Sequence, residues 1–218
     1  MIKRFKTKIL KKVNNTHDVF TLEFEKPEDF TFRAGQYINI YVPEIKKMRS
    51  YSILSNPSSN KLELCIKTVK EGEGTPHISK RKEGDEVEII GPLGMFLFDE
   101  SFEEYEFVCT GTGIVPFMSM ITQNIELNKK MRLVAGFRHK KDILFEKELN
   151  ELKKKHKNFE YIITLTKDDH EFTGRVQKYI ELTDKKLYYI CGLKELVLET
   201  KELLEKQNIK NIKIERYS

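Results

Sequence analysis

Apolar and polar positions alternate with a period of two along three early stretches: Tyr37-Ile38-Asn39-Ile40-Tyr41-Val42, Leu62-Glu63-Leu64-Cys65-Ile66-Lys67-Thr68-Val69 and Glu86-Val87-Glu88-Ile89-Ile90. Such alternation puts every second side chain on one face, so each stretch predicts a strand of an antiparallel sheet with one side buried. Ala34-Gly35, Asn56-Pro57, Glu83-Gly84-Asp85 and Gly91-Pro92 punctuate the stretches with turn residues. An antiparallel β-barrel or sandwich is expected there. From residue 105 onward the pattern changes to short, nearly continuous apolar runs: Phe107-Val108-Cys109, Leu133-Val134-Ala135-Gly136, Tyr161-Ile162-Ile163 and Leu187-Tyr188-Tyr189-Ile190. Runs of this kind suit strands covered on both faces, and helical spacing lies between them, at Leu144, Phe145, Leu149 and Leu152 and again at Leu196, Val197, Thr200, Leu203 and Leu204. The second half therefore predicts an α/β domain with a parallel sheet and crossover helices. The change of pattern sets the boundary near residues 98–104, giving domains of residues 1–100 and 101–218.

Length agrees, since 218 residues suffice for two cores of roughly 100 residues each. A hydrophobic share of 39%, with 14 Phe and 9 Tyr, is enough to fill them and argues against disorder despite 33% charged residues. Net charge is only +5, from 39 basic and 34 acidic residues, so nucleic-acid binding is not implied. There is no apolar run long enough for a membrane span and no leader-like start, which predicts a soluble, cytoplasmic protein. Three widely spaced cysteines, Cys65, Cys109 and Cys191, fit neither a disulfide framework nor a metal cluster. The histidines at 17, 77, 139, 156 and 170 lack metal-ligand spacing, so no metal site and no histidine catalysis is expected.

Three constellations can carry chemistry. Arg49-Ser50-Tyr51-Ser52 is followed by Gly72-Glu73-Gly74-Thr75. An arginine and a glycine-threonine amide nest on neighbouring strands would hold a diphosphate, with Tyr51 offering a flat face to an aromatic ring. The same residues also suit a surface cation, a core aromatic and an ordinary hairpin. Cys109-Thr110-Gly111-Thr112-Gly113-Ile114-Val115-Pro116 stands where a buried strand gives way to a helix, and its glycines allow backbone amides to approach a pyrophosphate. Pro116 replaces the third glycine of the usual dinucleotide fingerprint and suits a first helical turn, so a ligand-free strand-to-helix turn is the other reading. Tyr189-Ile190-Cys191-Gly192 ends a further buried strand, where ligands of open α/β sheets gather, although a lone cysteine there also serves as a small buried hydrophobe.

Taken in order, these motifs resemble the plant-type ferredoxin-NADP reductase superfamily, over nearly the whole chain. The resemblance implies an FAD-binding barrel followed by a nicotinamide-binding domain. It gives Arg49 to the flavin diphosphate, Tyr51 to the isoalloxazine, Ser52 to flavin N5 and Gly74-Thr75 to a second phosphate turn. Gly111, Thr112, Gly113 and Pro116 match the loop that receives the nicotinamide dinucleotide, and Gly136-Phe137-Arg138, Gly174-Arg175 and Cys191-Gly192 match further family signatures. Ile214-Glu215-Arg216-Tyr217 resembles the terminal strand that carries an acidic residue and an aromatic stacked on flavin, with the departure that Ser218 follows; a plain edge strand with an exposed tail is the alternative.

The implied chemistry is hydride transfer between nicotinamide and flavin, with electrons passed singly to or from ferredoxin, flavodoxin or another carrier protein. Ser52, Cys191 and Glu215 are expected to form the polar shell of the reacting rings. Thr166, Lys167 and Arg175 follow a strand end where an adenosine ribose would lie, which predicts NADPH over NADH, although Asp168 and Asp169 could grip a bare ribose instead. Lys153 to Lys157 reads as a solvated helix face, or as a dock for an acidic ferredoxin. Two other readings stay open: an electron-transfer subunit of a hydrogenase or dihydroorotate dehydrogenase type of complex, and a non-catalytic nucleotide-binding module.

Overall fold

The computed structural model describes residues 1–217; Ser218, the departure from the terminal family pattern, lies outside the described residues. The chain divides into two compact units, Met1–Phe98 with Met118–Gln123, and Asp99–Phe117 with residues 124 onward.

The first unit holds β1 (Lys3–Asn14), β2 (Val19–Glu25), β3 (Tyr37–Val42), β4 (Lys47–Ser52), β5 (Lys61–Lys67), the single-turn helix α1 (Thr75–Ile78) and β6 (Glu86–Leu93). Its strands form one antiparallel sheet in the order β4-β3-β6-β1-β2-β5. Ile53, just past β4, bridges Leu64 on β5, so the two outer strands meet and the sheet curls into the expected barrel. Phe20, Leu22, Phe24, Ile38, Leu62 and Ile89 fill its interior. Each comes from a strand whose alternate residues face outward, and each buried aliphatic or aromatic side chain contributes about 1.5–3 kcal/mol of transfer free energy.

Arg49 to Ser52 lie on β4, paired to β3 with Ile40 opposite Arg49 and Ile38 opposite Tyr51. Two local expectations are corrected. Thr68 and Val69 leave β5, and Val69 is exposed. Gly74-Thr75 opens α1 rather than lying on a strand, because Pro76 in the first helical turn has no N–H to leave unsatisfied. The long strand β1, rich in lysine, lacks a clean apolar alternation because only Thr7 and Ile9 of it are buried.

The second unit contains β7 (Glu104–Thr110), the two ends of α2 (Val115–Asn124), whose residues Met118–Gln123 group with the first unit, β8 (Lys130–Phe137), α3 (Glu146–Lys155), β9 (Phe159–Leu165), β10 (Lys186–Leu193), α4 (Lys194–Lys206) and β11 (Ile212–Tyr217). The sheet order is β11-β10-β7-β8-β9, with every neighbouring pair parallel. Every residue of β8 after Lys130 and every residue of β10 before Leu193 is buried, which is why these strands read as continuous apolar runs. The chain runs from β7 outward through β8 and β9, then returns to place β10 on the other side of β7. The reversal between β7 and β10 marks the point where an open α/β sheet leaves a ligand crevice beyond its carboxyl ends.

At the opposite, N-terminal end of these strands lies a buried charge network. Glu106 on β7 is fully buried and accepts from Arg132 on β8 and, at 3.0 Å, from Lys186 on β10. Arg132 also donates to the Tyr179 carbonyl at 2.8 Å, and Lys186 pairs with Glu181. Burial raises the Glu106 carboxyl above its usual range against the pull of both cations. Each charge is compensated only while the others remain, so Glu106→Ala is expected to lower stability by about 3–5 kcal/mol. Urea unfolding at neutral pH checks this; a change of less than roughly 1 kcal/mol would show that the cations find water or other partners.

Candidate functional site

In the first unit the relevant side chains gather along β4 and the segment leading into α1. A Cβ on Gly74 would stand 2.6 Å from the Arg49 Cγ, so the absent side chain is what lets the arginine shaft lie across this backbone. The Arg49 guanidinium donates to the Met48 carbonyl at 2.9 Å and to the Glu73 carboxylate at 2.7 Å, and Lys47 reaches the same carboxylate oxygen at 2.7 Å. The Lys47 hydrogen bond first, then Arg49, holds the Glu73 carboxyl below its ordinary range. The Glu73 carboxylate thus marks a position where two cations converge on an anionic oxygen. Thr75 is engaged locally, its hydroxyl accepting from the Val69 amide at 2.9 Å.

Beside Arg49 on β4, the Tyr51 ring is packed against the barrel core. Its hydroxyl is buried with no hydrogen-bond partner among the described residues, and burial pushes it up to about 12 while Arg49 works in the other direction. An unpaired buried hydroxyl costs about 1–3 kcal/mol, so this is a group that gains from a ligand acceptor. Ser52 follows at the end of β4, buried and opposite Tyr37. A cation pair on an anion, an orphaned phenol and a glycine cradle fit a flavin nucleotide with a diphosphate.

In the second unit the switch point lies between Thr110 at the end of β7 and Cys191-Gly192 near the end of β10. The segment Gly111–Ile114 forms a 3-10 turn that runs into α2, with Pro116 in the first helical turn. Gly113 sits against β10 so closely that a Cβ would collide with the Cys191 carbonyl oxygen and stand 2.9 Å from its carbon. Gly111, at φ +53°, faces open space. The N-terminus of α2 carries no side-chain cap and no acidic residue in its first turn, but the Val115 amide donates to the Thr112 carbonyl and Pro116 has no N–H, so what it turns toward a phosphate is its positive dipole end.

Cys191 is paired in register with Cys109 on β7 and with Glu215 on β11. Its thiol is raised well above the ordinary range, by burial first and by the Glu215 charge second, against a hydrogen bond from Tyr217. The Tyr217 hydroxyl also lies 3.5 Å from the Thr112 carbonyl, so the terminal strand crosses the switch point. Cys191, Glu215, Tyr217, Thr112 and Gly113 are therefore brought together at one edge of the sheet.

Beyond the ends of β8 and β9, the Thr166 amide donates to the Phe137 carbonyl and the Lys167 amide to that of Arg138, at 3.1 and 2.9 Å, which aligns these residues. Arg138, Thr166 and Lys167 are exposed. Arg175 behaves differently. Its guanidinium is taken up by Glu199 and Glu195 of α4, the latter at 3.0 Å, which ties the segment before β10 to that helix.

The sequence reading gave no role to His139 or Lys47 and left Asp168 as a rival ligand. The structure pairs His139 with Asp168 and sets Lys47 beside Arg49. The available signal for the first pair was its position, one residue past Arg138 and one past Lys167 at adjacent strand ends. Among the described residues no group of His, Cys, Asp or Glu is arranged to hold a metal ion, and no helix is long and apolar enough to cross a membrane.

A flavin half-site on a barrel and a dinucleotide loop on a parallel sheet define a two-domain flavin- and nicotinamide-dependent oxidoreductase. The family described as oxidoreductase FAD-binding domain matches residues 6–98, and oxidoreductase NAD-binding domain matches residues 107–202. Ferredoxin–NADP reductase B of Sorangium cellulosum is 30% identical over 223 residues, covering 90% of each chain. The reductase component of phenol 2-monooxygenase from Pseudomonas is 34% identical over 150 residues, covering 66% of this chain but only 42% of that protein. The fold matches a ferredoxin NADP+ reductase from Neisseria gonorrhoeae solved with FAD and NADP, at a TM-score of 0.87 and 22% identity over 98% of both chains. The chain belongs to the ferredoxin-NADP reductase superfamily, and it is a flavoenzyme that moves electrons between NAD(P)H, FAD and a one-electron carrier.

The thiols offer a check on this geometry. Cys65, Cys109 and Cys191 are all buried, and burial raises each thiol, that of Cys65 to about 12. The native protein is expected to leave all three unmodified by a disulfide reagent at pH 8, and the denatured chain to titrate all three; rapid labelling of Cys191 in the native protein would refute its burial.

Proposed function

We propose that this chain is an NADPH-dependent reductase of ferredoxin or flavodoxin, with residues 1–100 holding FAD and residues 101–218 holding the dinucleotide. The observation that carries the flavin assignment is the Tyr51 hydroxyl, buried without a partner on the strand where Arg49 already grips an anionic oxygen. FAD, when bound, takes an electron pair from the nicotinamide and releases it singly to the carrier. Arg49 binds the diphosphate, Gly74 admits the arginine shaft and Thr75 holds the turn to Val69 in place. Tyr51 presents its ring and hydroxyl to the isoalloxazine and ribityl portion, and Ser52 offers a hydroxyl toward the reacting edge. Gly111, Thr112 and Gly113, with the first turn at Pro116, receive the pyrophosphate on backbone amides. Cys191 and Glu215 supply the polar surround of the nicotinamide, and Tyr217 is the aromatic ring of the terminal strand that packs with the flavin. Their work is to orient rings and exclude water.

The dinucleotide choice follows from charge. Arg138, Thr166 and Lys167 present two cations and a hydroxyl to an adenosine 2′-phosphate. Arg175, neutralised by Glu195 and Glu199, holds the neighbouring segment. The relatives named as ferredoxin–NADP reductase and the near-complete overlap with the Sorangium protein support a free-standing reductase over a subunit of a hydrogenase or dihydroorotate dehydrogenase complex. The reductase components of multicomponent oxygenases, which are longer than this chain, leave an oxygenase partner as the second reading.

Two measurements test these assignments. Replacing Arg49 with Ala is expected to weaken FAD by roughly 1.5–3 kcal/mol, the value of a charge-assisted hydrogen bond, whereas Glu73→Gln, which removes only the competing carboxylate, should not weaken it. Fluorescence titration of the apoprotein reads both, and unchanged affinity in a folded Arg49→Ala variant would sink the flavin assignment. In steady-state assays with an artificial one-electron acceptor, kcat/KM should be higher for NADPH than for NADH and should fall toward the NADH value in Lys167→Ala; equal use of both cofactors by the native enzyme rejects the preference.

A further inference from the structure

Two residues past Thr166, where an acidic side chain would be placed to grip the hydroxyls of a bare ribose, stands Asp168. Its carboxylate is already occupied. One oxygen lies 2.8 Å from the His139 Nδ1, a separation from a carboxylate that places the proton on that nitrogen, and the other accepts from the Lys140 amide at 2.7 Å. The Lys140 amide first, then His139, holds the Asp168 carboxyl below its ordinary range. His139 is itself fixed, because its amide donates to Asp142 at 3.2 Å and the Asp142 amide returns to its carbonyl at 3.0 Å across the turn Lys140–Asp142. Arg138 and Lys167, the residues immediately before His139 and Asp168, form no ion pair among the described residues. Of the two carboxylates that follow Lys167, Asp168 is thus drawn onto the β8 turn, while Asp169 is exposed.

We propose that His139 is a positioning residue for dinucleotide selection: by clamping Asp168 to the Lys140–Asp142 turn it withholds that carboxylate from the ribose and leaves Arg138 and Lys167 to a 2′-phosphate. The inference rests on the NADPH reading above and deepens it, since it assigns the choice between cofactors to a pair of residues rather than to the cations alone. Without His139, one Asp168 oxygen loses its donor, and the carboxylate is free to turn toward the adenosine hydroxyls or toward Lys167.

Equilibrium binding separates the two claims without turnover. Adenosine 2′,5′-bisphosphate and 5′-AMP differ only in the 2′-phosphate, and the ratio of their dissociation constants, measured by calorimetry on the FAD-loaded protein, reports selection at that position. The native ratio should favour the bisphosphate. His139→Ala should shrink the ratio roughly tenfold, the scale of one lost charge-assisted hydrogen bond and the carboxylate it releases. His139→Asn, whose side-chain amide can donate from nearly the position of Nδ1, should keep most of the ratio, and adding Asp168→Asn to His139→Ala should restore it. A His139→Ala ratio equal to the native one, or a loss of the same size for both ligands, overturns the clamp. A native ratio at or below one overturns the NADPH reading instead, and the change caused by His139→Ala still decides the clamp.

Discussion

The approach of Gly113 to the carbonyl of Cys191 is the contact on which the rest of the dinucleotide edge depends. No side chain fits between the turn after β7 and the end of β10, so only glycine lets the two strands that flank the switch point be capped by one turn. That closeness sets where α2 begins, and therefore where its positive dipole end points. It also fixes the Thr112 carbonyl within reach of the Tyr217 hydroxyl and keeps the Cys191 thiol enclosed. A bulkier residue would push the turn outward and alter all of these together.

The two ends of the parallel sheet treat charge in opposite ways. At the N-terminal end, Arg132 and Lys186 are buried and both donate to the buried Glu106, with further partners in Glu160, Glu181 and the Tyr179 carbonyl. Such a network is closed and has nothing left to offer a ligand. Beyond the C-terminal ends, Arg138 and Lys167 stay exposed while three nearby carboxylates are engaged elsewhere, Asp168 by His139 and Lys140, Glu195 and Glu199 by Arg175. Charge satisfied internally is closed to a ligand; charge left exposed is open to one. The barrel shows the intermediate case, since Arg49 and Lys47 hold a largely exposed carboxylate.

The periodicity of the chain foretold the barrel and the parallel sheet, and the glycine turn at Gly111–Gly113 stands where it was expected, between a buried strand and a helix, whereas Gly74-Thr75 opens α1 instead of lying on a strand. Tyr37–Val42 was visible as a strand since its alternate residues face a single core, and β8 and β10 since both their faces are covered. The lysine-rich β1 was not, because barrel closure recruits a strand that buries little of its own surface.

Composition and motif order thus determined the fold class and the two cofactor-binding domains. Tertiary structure decided which residues are free to act. Arg175 and Arg138 look equivalent in the sequence, yet α4 brings two glutamates to the first and none of the described residues brings one to the second. His139 and Asp168 are 29 positions apart, and only the parallel pairing of β8 with β9 sets their strand ends side by side. The physical reason is range: propensity, alternation and turn chemistry act within a few residues, whereas ion pairing and the satisfaction of buried polar groups depend on neighbours that only the folded chain supplies.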